Sequence, residues 1–301
     1  MSRAKHPLQS GPPLLDRAAI LRHFDAASAS YDGSAVLAGR LRKQMIERLD
    51  WVAFMPDAIL DLGCGTGQGA AALAARWPRA RVAALDVSPA MLRKAAQSDA
   101  AGRLELLHAE AEAIPLPDAS VDLVFSNLML PWCEDIDAVF SEVARVLRPR
   151  GLFTFTTFGP DTLIELRAAW AAVDGAAHVH PFTDMHDLGD GLVRAGLIEA
   201  VLDVSRYTMT YTDVRALMRD LKAIGSQNAA GGRMRGLTGR GRLAAMAEAY
   251  EPFRADDTLP ATHEVVFGHA WGALEPGKPG ERADEFAFPI ASIGRRDPNG
   301  R

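Results

Sequence analysis

The stretch Ile59-Leu60-Asp61-Leu62-Gly63-Cys64-Gly65-Thr66-Gly67-Gln68-Gly69 decides the fold. With Ala58, its first residues read as a short buried strand broken by one acid. Glycines at alternate positions follow, and then a helical pattern runs to about Trp77. Glycine at such a junction lets the chain turn tightly and lets its backbone approach a ligand. The spacing differs from the G-x-G-x-x-G of dinucleotide sites, where a helix N-terminus meets a pyrophosphate. Asp61, two residues ahead of Gly63, would repel a pyrophosphate. It suits a cation, such as an amino-acid ammonium or a sulfonium.

The same grammar repeats outward. ARVAALDVS (80–88) is a buried strand ending in an acid, and Ser88 with Pro89 makes a helix start as N-cap and first helical residue. RLELLHAEAE (103–112), VDLVFSNLML (121–130) and GLFTFTTF (151–158) read as three more strands, with a helix at 136–147 stopped by Pro149. Strands alternating with helices imply an α/β fold with a parallel sheet. Ahead of this core, helical patterns cover 16–30 and 34–54. Behind it come helices at 160–173 and 184–195, a strand at 197–209, helices at 212–224 and 240–251, and a strand at 263–271. A glycine-rich stretch, GSQNAAGGRMRGLTGRG (225–241), separates the last two helices. Residues 1–15 and 273–301 read as loose tails around one folded domain, 16–272.

The 301 residues carry a net charge of -5, with 48% hydrophobic and 24% charged residues. This is the composition of a globular chain and argues against a general nucleic-acid binder. The two cysteines, Cys64 and Cys133, exclude a disulfide scaffold and fit a reducing cytoplasm. No apolar run approaches the roughly 20 residues that span a bilayer, so no membrane role is expected.

The carboxyl ends of parallel strands form the usual ligand crevice. Asp86, ending the second strand, can accept both hydroxyls of a ribose. Glu110, after the third, can reach an adenine amino group, and Asn127 and Leu128 follow the fourth. At this point the chain resembles the class I S-adenosylmethionine-dependent methyltransferases. The stretches LDLGCGTG, ALDVSPAML, HAEAEAIPLPDASVDLVFSNLML and VLRPRGLFTFTTF carry the likeness over residues 58–158. The resemblance implies a Rossmann-like fold: a mostly parallel seven-stranded sheet with helices on both faces, an N-terminal lid helix and a helical insert before the last strand. It implies S-adenosylmethionine as cofactor and S-adenosylhomocysteine as product. The implied cofactor contacts are Asp61, Gly63, Cys64, Gly65, Gly67, Asp86, Val87, Met91, Glu110, Ala111, Asn127 and Leu128. Gly63 and Gly65 would pack under the methionine moiety. The family's usual residue at 110 is Asp, and this chain has Glu.

The flanks FDAASASYD (24–32), SNLMLPW (126–132), GPDTLIELRAAW (159–170) and LKAIGSQN (221–228) resemble the malonyl-acyl-carrier-protein O-methyltransferases of biotin synthesis. That resemblance implies methylation of the free carboxylate of a malonyl thioester. Such a carboxylate is already ionised near neutral pH, so no general base is needed. Catalysis reduces to alignment in a dry pocket. Phe24 and Tyr31 mark the lid, with Tyr31 at the pocket mouth. The acceptor side falls to the insert, 212–260. There Arg215, Arg219 and Lys222 share one helical face, and Arg219 or Lys222 would orient the carboxylate. Arg233, Arg235, Arg240 and Arg242, with no acid between them, form a basic loop suited to an acidic carrier protein.

One cluster points elsewhere. AHVHPFTDMHD holds His178, His180, Asp184, His186 and Asp187. Two histidines and a carboxylate can hold iron. This segment and PATHEVVFGHAW also resemble a mitochondrial complex I assembly factor described as an arginine hydroxylase. The competing expectation is therefore an oxygenase on a methyltransferase scaffold, and a methyltransferase of other small-molecule specificity is a further alternative. The plainer reading has no metal. Pro181 breaks the segment, Asp184 caps the next helix and the histidines bond locally.

Overall fold

The computed structural model describes residues 15–99, 102–234, 236 and 238–274. The expected tails lie outside the described residues, apart from Leu15, Ala273 and Leu274, and so does Arg235. Three helices come first, α1 (Arg17–Ala27), α2 (Tyr31–Ser34) and α3 (Val36–Arg48). The core follows as β1 (Ala58–Leu62), α4 (Gln68–Arg76), β2 (Arg81–Asp86), α5 (Pro89–Ser98), β3 (Leu104–His108), β4 (Val121–Asn127), α6 (Ile136–Val146) and β5 (Leu147–Phe158). Then come α7 (Ile164–Ala171), α8 (Met185–Arg194), β6 (Ile198–Tyr211), α9 (Val214–Ala223), α10 (Arg240–Tyr250) and β7 (Leu259–Trp271). Among the described residues no helix is long and apolar enough to cross a membrane.

The strands form one seven-stranded sheet in the order β3-β2-β1-β4-β5-β7-β6. The pairings among β1 to β5 are parallel, and β7 runs antiparallel to both β5 and β6. The order reverses between β1 and β4, which puts the ligand crevice at their carboxyl ends.

Strand alternation divides the core into two layers. Leu60, Leu62, Val124, Phe153 and Phe155 face one side and pack against α6 and α8. Ile59, Leu123, Phe125 and Leu152 face the other and pack against α3, α4 and α5. Both faces of the central strands are buried, so these strands read as near-continuous apolar runs. As expected, the Ser88 hydroxyl caps α5 by accepting from the Met91 N–H, with Pro89 at the helix start. Asp184 caps α8 in the same way, accepting from the His186 N–H.

Several elements depart from the sequence reading. β5 begins at Leu147 rather than 151, so Pro149 lies inside a strand instead of stopping a helix, and β3 ends at His108 rather than 112. The helix read over 34–54 stops at Arg48, and a single 3-10 turn at Leu49–Trp51 follows. The last strand begins at Leu259 rather than 263. Residues 259–264 pair only with β6, beyond the point where Phe158 ends the ladder with β5. The ribbon so formed carries a third core, in which Leu166 and Trp170 of α7, Leu217 of α9 and Tyr250 of α10 pack on Leu259 and Ala261. Pro260, Thr262 and His263 make this segment polar at first sight, and its burial comes from the insert.

In the sheet centre Gly268 stands between Phe155 and Leu202. A Cβ there would lie 2.3 Å from the Phe155 ring, which stacks on Phe153. Gly268→Ala should therefore destabilise the fold by about 1–3 kcal/mol. A lowered urea midpoint is the expected result; an unchanged one would mean that Phe155 can shift freely.

Candidate active site

A cavity of about 300 Å³ opens at the carboxyl ends of β1, β2 and β4. Gly65 of the β1–α4 turn has φ +53 and open space where a side chain would stand. That space belongs to the cavity. Asp86 fixes the turn: one carboxylate oxygen accepts from the Gly65 N–H and the other from the Ser88 N–H, both at 2.8 Å. Burial raises its pKa, and these N–H donors oppose the rise.

Of the residues expected to contact a cofactor, Gly63, Gly65, Asp86, Val87, Met91, Glu110, Ala111, Asn127 and Leu128 all line this cavity, and so does Tyr31. Asp61, Cys64 and Gly67 do not. The Asp61 side chain turns under the glycine-rich turn, 2% exposed, and lies against Gly69 at the start of α4. Its Oδ2 is sealed without a partner. Burial drives its carboxyl up to about 7, with Asp86 adding to the rise. Asp61 thus lies beneath the turn, outside the lining of this cavity. Cys64 is buried in the core with α3 and α4, and Gly67 lies against Ala95 of α5. Asn127 is already engaged: it donates to the Ala38 carbonyl and accepts from the Thr156 hydroxyl.

The N-terminal helices close the cavity through contacts that sequence reading missed. The Ser88 hydroxyl donates to Asp25 of α1, and the Thr66 hydroxyl donates to Asp32 of α2, each at 2.5 Å. Arg17 pairs with Glu110 at 3.2 Å and Glu112 at 3.0 Å across the mouth. The Phe24 ring meets Trp132 edge-on at 5.1 Å. Asp25 and Asp32 lie far in sequence from their partners, so no local pattern marks them. Tyr31 is half-buried, and its hydroxyl is pushed up to about 12 by burial, so it is a donor near neutral pH.

A second cavity, about 620 Å³, adjoins the first under the insert. Trp132, Phe158, Leu221, Ile224, Ser226 and His263 line both. The charges differ in sign. Asp86, Glu110, Glu112 and Asp220 face the first cavity with one permanent cation, Arg17. Arg215, Arg219 and Lys222 of α9 face the second, exposed and without an ion-pair partner among the described residues. Arg219 and Lys222 line the second cavity but not the shared wall.

The basic loop is less free than its sequence implies. Arg233 pairs with Asp16 at 2.8 Å and Arg242 pairs with Asp174. Both lock the insert to neighbouring segments, and only Arg240 of the described three stays exposed and unpaired. The histidine cluster does not converge either. His178 stacks on Trp170 at 3.7 Å and bonds Asp174. His180 is buried between Trp132 and Phe182, its pKa lowered to about 4 by burial. His186 bonds Asp184 at the surface. Among the described residues no three His, Cys, Asp or Glu side chains stand where they could hold a metal.

Residues 60–155 match the family model described as a methyltransferase domain. The chain is 50% identical over 265 residues to the malonyl-[acyl-carrier protein] O-methyltransferase of Methylovorus sp. (strain MP688), covering 86% of this chain and 90% of that one. The chain belongs to the malonyl-[acyl-carrier protein] O-methyltransferase family. It is also 38% identical to the biotin biosynthesis bifunctional protein BioHC of Saccharophagus degradans, over 84% of this chain and 46% of that one. A Bacillus halodurans C-125 protein provisionally described as a methyltransferase shares the fold of this family member at 16% identity and a TM-score of 0.56, covering 77% of this chain and 99% of that one.

The inward turn of Asp61 has a measurable consequence for this methyltransferase. Its folded pKa lies near 7 against an ordinary 3.8, so the folded state holds the proton longer. Its contribution then lowers stability as pH rises from about 4 to 7, by up to about 1.4 kcal/mol per pH unit, and levels off above. Asp61→Asn should gain stability relative to the parent between about pH 5 and pH 8 in urea denaturation. Parallel profiles would place the titration elsewhere.

Proposed function

We propose that this chain transfers the methyl group of S-adenosylmethionine to the free carboxylate of malonyl-acyl-carrier protein, giving the malonyl methyl ester used to start pimeloyl synthesis for biotin. The observation that carries the reading is the pair of adjoining cavities, one lined by acids and the other by unpaired cations. The names of the relatives supply the acceptor. We assign both cavities to one methyltransferase domain, 16–272, with the core at 58–158 and the acceptor-side insert at 212–260. Two free thiols, Cys64 and Cys133, support a cytoplasmic setting.

The first cavity fits the cofactor. A sulfonium and an ammonium are stabilised by an acidic lining, and the open space over Gly65 admits a ligand against bare backbone. Asp86 would hold the ribose, Glu110 would lie near the adenine once Arg17 yields it, and Val87, Met91, Ala111 and Leu128 would pack the rest. When bound, S-adenosylmethionine supplies an activated methyl group on a good leaving group. The chain's own part is positioning and exclusion of water. Trp132, Phe158, Leu221 and Ile224 make the shared wall largely apolar, and α1 covers it. Tyr31 stays protonated and serves as a hydrogen-bond donor at the cofactor side. Arg215, Arg219 and Lys222 attract and hold the anionic arm of the acceptor.

Incubation with methyl-labelled S-adenosylmethionine and malonyl-acyl-carrier protein should give a labelled methyl ester. No ester on either the carrier protein or malonyl-coenzyme A would overturn the reading. Asp86→Ala should weaken S-adenosylmethionine binding about tenfold to a hundredfold, the scale of a lost charged hydrogen bond. Unchanged affinity in calorimetry would remove Asp86 from the site. Arg215→Ala, Arg219→Ala and Lys222→Ala together should raise KM for the carrier-borne acceptor and flatten its salt dependence, with cofactor affinity unaltered. A KM and salt slope equal to the parent's would take α9 out of acceptor binding.

A further inference from the structure

In the proposed reaction, the methyl group must pass between the two cavities, so the acceptor carboxylate must come to the wall they share. Of the residues there, Trp132, Phe158, Leu221, Ile224 and Ser226 cannot carry charge, and His263 can. The cations of α9 line the second cavity alone. A carboxylate moved from water to an apolar wall needs a donor or a cation beside it. We propose that His263 grips the acceptor carboxylate through Nε2, taking up a proton as the acceptor binds. This inference rests on the reaction proposed above.

The ring geometry supports it. His263 of β7 is 7% exposed, and its Nδ1 lies 3.1 Å from the Ala261 carbonyl. A carbonyl only accepts, so Nδ1 carries a hydrogen. Nε2 has no hydrogen-bond partner among the described residues, and unlike Nε2 of His180 it is not sealed. The free protein therefore presents a bare nitrogen where an imidazolium would present a second donor. Burial keeps the ring below its ordinary pKa, and the Ala261 carbonyl, Glu165 and Asp220 pull the other way.

The groups facing His263 from each packed element are otherwise occupied. On β6, Tyr207 is its register partner and donates to Gln44. On α7, Glu165 spends both oxygens on Thr262. On α9, Asp220 accepts from the Tyr211 hydroxyl. On β5, the uncharged Phe158 ring lies 5.7 Å away. His180, across the second cavity, is kept neutral by burial. A bound carboxylate is the missing opposite charge, and it raises the pKa of a neighbouring imidazole. Once the ester forms, that charge is gone. His263 then releases to solvent the proton it took up, and its hold on the product is lost.

The test uses the full chain and a malonyl-pantetheine thioester. With S-adenosylhomocysteine bound, calorimetry in buffers of different ionisation enthalpy should register proton uptake on acceptor binding, absent in His263→Gln. In turnover, kcat/KM for the acceptor should fall as pH rises through the neutral range. His263→Gln, a permanent neutral donor, should flatten that limb, and His263→Phe should raise acceptor KM about tenfold or more. Unchanged cofactor affinity shows that a variant is folded; if His263→Phe fails this check, His263→Gln carries the test. A His263→Gln profile and proton uptake matching the parent's would overturn the proposal while the reaction stands. A parent chain that makes no malonyl ester would overturn the reaction itself.

Discussion

The Asp86 carboxylate joins two turns that must meet for the site to exist. One oxygen holds the Gly65 N–H of the β1–α4 turn, and the other holds the Ser88 N–H at the start of α5. Parallel strands present their carboxyl ends side by side, but nothing in the ladder fixes the loops beyond them. Asp86 does so with two charge-assisted bonds, each stronger than a neutral one. The next link is Ser88, whose hydroxyl caps α5 and donates to Asp25 of the lid. Sheet, turn and lid are thereby chained through three consecutive polar contacts. Asp61 supports the same turn from beneath at the start of α4. The two carboxylates thus have different surroundings: Asp86 faces the cavity, and Asp61, two register positions back on β1, is sealed.

The second constraint is the opposite charge of the adjoining cavities. A cation and an anion that attract each other in water are already screened and solvated there. In the proposed function each would be drawn from water separately, and each cavity would supply the sign that makes this tolerable. The mostly apolar wall between them carries little of either sign, so the attraction between the reactants would be least damped there. The α7–α9–α10 core holds this wall in place, because α9 contributes Leu221 to that core and to both cavities.

What could be read from sequence was what local rules govern. The glycine-rich turn, the Ser88 and Asp184 caps and the apolar strands each follow from neighbours a few residues apart. The burial of Asp61 beneath the turn was not legible, because an acid in a strand can face either way and only the packing of α4 decides. Arg233 and Arg242 looked free because their partners, Asp16 and Asp174, lie far off in the chain. The start of β7 was missed because its polar residues are buried by helices that belong to other segments. In each case the missing information was a long-range contact, the part of a fold that composition and periodicity do not carry.

The lid shows how such contacts can be both specific and reversible. Arg17 with Glu110 and Glu112 is a half-exposed ion pair, and contacts of this kind contribute about 0–1 kcal/mol. Breaking it is therefore cheap, and in the proposed function that would free Glu110 for the cofactor. The edge-on contact of Phe24 with Trp132 differs, since it buries apolar surface regardless of what occupies the cavity. The polar contacts and the aromatic pair thus hold the same helices over the cavity by different means. Trp132 lines both cavities, so the same ring that draws α1 down also walls the place where the reactants meet.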